Sequence, residues 1–151
     1  MSDVEFTRAL ERGEIANKDF QHASHLHVAW VYLAESSSIG EAAGKMSNTL
    51  RNFAAAAGKP EKYHKTITLF WIHLLNRVRL TANGKSLTEI VHCHPRLLEK
   101  NFPLVYYSRD LLFSERARAS WVEPDLKPLS IDGATFCSSS SSRDAPDRSL
   151  S

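Results

Sequence analysis

The sequence predicts an all-α protein: a bundle of four main helices, then a shorter C-terminal helical segment and a disordered tail. Two observations carry that expectation. Serine-headed capping boxes (Ser2-x-x-Glu5, Ser38-x-x-Glu41, Ser86-x-x-Glu89) mark helix starts, while Gly13, Gly58 and Asn83-Gly84 mark helix ends. Between these signals, apolar residues recur at steps of three and four, the spacing of one helix face.

Taken in order, Ser2 caps a short first helix that stops at Gly13. A second helix is expected from Asn17 to Glu35, closed by the serines at 36 to 38. The third starts at Ser38 and carries Ile39, Ala42, Ala43, Met46, Leu50, Phe53, Ala54 and Ala57 on one stripe before Gly58. Pro60 opens the fourth, whose stripe is Ile67, Thr68, Trp71, Leu75 and Val78. Helices of about 18–20 residues run roughly 30 Å, long enough to build a bundle. Ser86 caps a fifth, shorter helix over Leu87 to His92, and Pro95 starts or breaks a turn. The aromatic stretch from Leu97 to Val122 is expected to pack across the bundle, with Ser114 capping a last helix that ends near Val122. Pro124 onward reads as an extended strap. Residues 1–129 thus form the helical domain, and residues 130–151, with serines at 138 to 142, a disordered tail too polar to offset its ordering entropy.

Composition narrows the function classes. At 151 residues the chain has the length of one domain, and 42% hydrophobic with 24% charged residues is ordinary for a globular protein. A net charge of +2 falls short of the basic excess of a nucleic-acid module. The longest apolar run, Val28 to Ala34, is far below the roughly 20 residues that span a bilayer, so no membrane partner is expected. The N-terminus, MSDVEFTRALERGE, places acidic residues where a signal peptide carries basic ones, which leads us to expect a soluble, cytoplasmic protein. Cys93 and Cys137 are too few and too far apart for a disulfide framework. There is no Gly-rich phosphate loop, no G-x-S-x-G elbow and no H-E-x-x-H motif.

Seven histidines are the distinguishing feature. At about 100° per residue, His22 falls in the apolar arc of the second helix beside Leu26, Ala29, Trp30 and Leu33, with His25 on the same arc and Asp19 one turn earlier. In the fourth helix, His64 lines up with Ile67, Thr68, Trp71 and Leu75, and Glu61 precedes it by three residues. His73 falls opposite that stripe and should be solvated; His27 lies at the edge of its arc. Consecutive side chains on a helix diverge, so His92-Cys93-His94 cannot converge on one ion.

Inward imidazoles must find hydrogen-bond partners or a metal, because an unpaired buried polar group costs about 1–3 kcal/mol. One expectation is therefore a small metalloprotein, with a single divalent ion (zinc, iron or manganese) held by His22, His25 and His64. In it, Asp19 or Glu61 would act as ligand or base, and Trp30, Tyr32, Tyr63 and Trp71 would shape a cavity for a small molecule. A second is a non-catalytic interaction module in which the same histidines form a buried polar network. A third is a metal-free small-molecule binder or enzyme with a histidine general base. Oligomeric state is left open.

The blocks FQHASHLHVAWVYL (Phe20 to Leu33), KYHKTITLFW (Lys62 to Trp71) and YYSRDLLFSERARASWVEPDLKPL (Tyr106 to Leu129) resemble those of a family of short bacterial all-helical proteins. That resemblance implies a helical fold and brings no activity with it. A more distant comparison is the DinB-like superfamily of four-helix bundles with a three-histidine metal site. There a single His precedes a His-x-x-x-His pair, whereas here the close pair comes first and is spaced by three.

Overall fold

A computed structural model describes residues 2–128. Cys137, the serine run and the tail expected over 130–151 lie outside the described residues. Among those described, every regular element is helical: α1 (Asp3–Glu11), α2 (His22–Glu35), α3 (Ile39–Ala56), α4 (Lys65–Leu80), α5 (Leu87–Cys93), α6 (Arg109–Leu112) and α7 (Glu115–Ala119). Short 3₁₀ turns stand at Asn17–Asp19, Pro60–Lys62, Pro95–Leu98 and Phe102–Val105. No described helix is long and apolar enough to cross a membrane.

The caps form where the sequence puts them. Ser2 and Ser86 each accept from the amide three residues on, and Glu5 and Glu89 reach back. Ser38 accepts from the Glu41 amide, but the Glu41 carboxylate turns to the Ser37 amide and hydroxyl instead. At the C-terminus of α3, Gly58 adopts φ +74°, and the amides of Gly58 and Lys59 return to the carbonyls of Ala55 and Ala54. That left-handed residue satisfies two otherwise orphaned carbonyls and turns the chain into Pro60.

Packing places α2 at the centre. It contacts α1, α3 and α4, and accordingly Leu26, Val28, Ala29, Val31, Tyr32 and Leu33 are all buried, more than one stripe of the helix. Helix α4 packs against α2, α3 and α7. It buries Phe70, Ile72 and Leu74 besides Trp71, Leu75 and Val78, so the single stripe expected from spacing understates what is covered. His73, expected to be solvated, is partly buried with its ring 5.5 Å from that of Trp121. Phe70, Phe102, Tyr106 and Tyr107 form an aromatic cluster that locks α4 to the segment after α5.

Side-chain bonds, together with the main-chain bond from the Leu126 amide to Tyr106 O (2.9 Å), hold the C-terminal strap. Thr66 Oγ1 donates to Ser120 O at 2.7 Å and accepts from Val122 N–H at 3.2 Å. Tyr107 Oη donates to Val122 O (2.7 Å), Arg118 Nη1 donates to Glu61 O (2.6 Å), and Asp125 accepts from the Ser108 amide and hydroxyl. The last helix ends at Ala119, short of the expected Val122.

Candidate functional site

Helix starts decide the fate of the candidate residues. Helix α2 begins at His22, not Asn17. Ser24 Oγ accepts from the Gln21 amide, and Asn17–Asp19 is a separate 3₁₀ turn. Asp19 is therefore exposed and off the helix that carries His22. Likewise Pro60–Lys62 is a 3₁₀ turn, and α4 begins only at Lys65. Glu61 is exposed, engaged through its carbonyl by Arg118. Neither carboxylate stands over an imidazole, which corrects the expected pairing.

His64 is the N-cap of α4 rather than a residue of its apolar face. Its Nδ1 accepts from the Ile67 amide at 3.1 Å and its Nε2–H donates to Leu112 O at 2.6 Å. A carbonyl can only accept, so the partners fix the tautomer with the proton on Nε2. Both nitrogens are spent. His22 Nε2–H donates to Leu97 O at 3.0 Å, and its ring sits 4.7 Å from that of Trp71. The expectation that His22, His25 and His64 share one centre is not met: among the described residues no three or more His, Cys, Asp or Glu side chains are grouped to hold a metal ion. The physical reason is that two of the three imidazoles already satisfy main-chain carbonyls on different stretches of chain. Burial holds the pKa of His22 and of His64 below the ordinary value, against the opposing pull of those carbonyls.

His25 is different. Its Nε2 is shut off from solvent and has no hydrogen-bond partner, although part of the residue is accessible. Burial, aided by the neighbouring His22, pushes its pKa down to about 4, so the ring is neutral at pH 7. The Tyr63 hydroxyl is likewise buried and unpartnered. Both residues line one cavity of 260 Å³ between α2, α3 and the start of α4. Its walls include Phe20, Leu50, Phe53, Ile67 and His64, and its rim carries Lys59 and Lys62. The aromatic wall is continuous, with Phe20 stacking on His25 (5.5 Å) and tilting onto Phe53 (5.0 Å). Arg51 stands over the Tyr63 ring, its guanidinium 5.2 Å from the ring centroid.

The other expected cavity-shaping residues go elsewhere. Trp71 is in the core, Trp30 packs on its edge, and Tyr32 is fully buried. Tyr32 Oη donates to Glu11 (2.5 Å) and pairs with Thr49 Oγ1 (2.7 Å), at the wall of a second, more polar cleft of 580 Å³. His27 pairs with Asp3 at 2.7 Å, while Cys93 is exposed. Sequence reasoning missed Phe20, Phe53, Lys59 and Lys62 as cavity residues. The signal was present for the lysines, because Gly58 and Pro60 force the chain to turn between them. For Phe53 nothing in the α3 stripe separates a cavity-facing position from a core one.

No family model, no curated protein and no solved structure matches this chain significantly, and the functional reading rests on the geometry of the cavity itself.

Proposed function

We propose that this protein binds a small, largely apolar molecule in the cavity between α2, α3 and the start of α4, within a bundle of the four main helices α1 to α4. The supporting observation is that His25 and Tyr63, each carrying a buried polar atom without a partner, both line the same largely apolar space. Leaving two such groups unpaired costs about 1–3 kcal/mol each, a cost that a ligand with a hydrogen-bonding group removes. Tyr63 donates its hydroxyl proton, and neutral His25 accepts or donates according to tautomer. A pocket that is mostly apolar with a few convergent polar groups is the usual form of a small-molecule site. A general base works best with a pKa near the operating pH, and His25 at about 4 lies well below it, so binding is the role it fits better than proton abstraction. The setting we assign is the cytoplasm.

The test is a fragment screen of the full chain by NMR, reading the His25 ring nitrogens. Fragments with an apolar body and one polar group are expected to shift the Nε2 resonance, and Tyr63→Phe should weaken them several-fold. A screen in which no fragment perturbs His25, or in which binders map to other surfaces, overturns the reading. Metal analysis of untagged protein decides against the older expectation or for it: one equivalent of zinc, iron or manganese per chain would restore the three-histidine site at the expense of this one.

A further inference from the structure

The cavity's polarity is uneven in a way that the binding reading does not use. Its ionisable lining residues are Lys59, Lys62, His25, His64 and Tyr63, with no carboxylate among them. His25 is neutral at pH 7, since burial pushes its pKa down to about 4, and His64 is neutral because its Nδ1 accepts from the Ile67 amide. The two ammonium groups are thus the only formal charges on the wall. Both lysines are exposed, and neither takes part in an ion pair among the described residues. The nearest acidic residues in sequence, Asp19 and Glu61, are exposed and do not line the space. Arg51 does not line the space, but its guanidinium stands over the ring of Tyr63, which does.

Besides the lysines, the lining is mostly apolar or aromatic, with Asn17, Thr68, His64, His25 and Tyr63 as its neutral polar residues. The site therefore combines two exposed lysines with a mostly apolar lining that carries a few neutral polar residues. A space of 260 Å³ suits a small organic molecule. Resting on the binding reading above, we infer that the ligand is a small organic carboxylate: an apolar body lies against Phe20, Phe53 and Ile67, its carboxylate meets Lys59 and Lys62, and any neutral polar substituent faces His25 and Tyr63. The juxtaposition that carries this is an unpaired lysine pair at the mouth of a carboxylate-free apolar cavity.

The test uses the full chain and three near-isosteric probes, 3-phenylpropanoate, 3-phenylpropan-1-ol and 3-phenylpropylamine, titrated by calorimetry at pH 7.5 and low salt, with the His25 ring nitrogens followed by NMR. The acid is expected to bind at least tenfold more tightly than the alcohol and the amine most weakly, with the acid's advantage shrinking as salt screens the rim. The exposed double variant Lys59→Gln/Lys62→Gln should remove most of that advantage, bringing the acid to within about threefold of the alcohol. Equal affinity for acid and alcohol, or an acid preference that survives the double variant, overturns the carboxylate inference and leaves the binding reading standing. If none of the three binds or perturbs His25, both fall.

Discussion

Replacing His64 with alanine is expected to cost about 2–4 kcal/mol of stability. The magnitude follows from the two bonds its ring makes. Losing an N-cap acceptor, here Nδ1 to the Ile67 amide, costs typically about 1 kcal/mol. Losing the Nε2–H bond to Leu112 O removes about another 1 kcal/mol, and a carbonyl left buried without a partner raises that toward about 3. His64→Asn separates the two contributions, because asparagine is a good N-cap residue but is too short to span from α4 to α6. It should recover about 1 kcal/mol relative to alanine. Urea unfolding at pH 7.5 with unchanged m-values is the assay. If alanine and asparagine are equally stable, His64 does not cap α4. If alanine costs less than about 1 kcal/mol, the bond to Leu112 contributes nothing.

Acid should destabilise the fold between pH 6.5 and 4. His25 is held below its ordinary pKa, so the unfolded chain takes up the proton first; stability is complete above about pH 6.5 and is lost as pH falls toward the folded value of about 4, by up to about 3 kcal/mol. His22 and His64 shift in the same direction, and His25→Leu should flatten part of the profile in pH-dependent thermal unfolding. Thr66→Val keeps the shape but strips both the bond to Ser120 O and the one from Val122 N–H, so a loss of about 2 kcal/mol is expected, with faster amide exchange around Val122. Two glycine-to-alanine changes should differ in sign. Gly44 lies within α3 with open space where a Cβ would go, and alanine there should add about 0.5–1 kcal/mol, whereas at Gly58, with φ +74°, alanine should cost about 1 kcal/mol or more. Equal effects in thermal unfolding would refute the conformational argument.

The sequence announced its helix punctuation clearly. Ser2, Ser38, Ser86 and Ser114 all cap where their spacing predicts, because a cap is a local event settled within four residues. Helix starts without a serine were not legible. The second helix begins five residues later than expected because Asn17–Asp19 closes into its own turn, and the fourth begins after a 3₁₀ turn that Pro60 equally allows. Those two shifts moved Asp19, Glu61 and His64 out of the helical phase on which the metal site depended. Tyr63 and His25 were visible as candidates from the start. Their sharing a space was not, since it depends on how α2 and α3 pack, and on the long-range anchoring of α4, which no short window records.

The start of α4 is fastened by residues some fifty positions later: Leu112 holds His64, Arg118 holds Glu61, and Ser120 and Val122 clasp Thr66. A ribosome delivers the chain in order, so α1 to α3 emerge well before these fasteners exist. The wall that includes Tyr63 and His64 can take its final position only after Val122 has been made. A nascent chain stalled at residue 105 would therefore own every residue that lines the cavity and still lack the cavity.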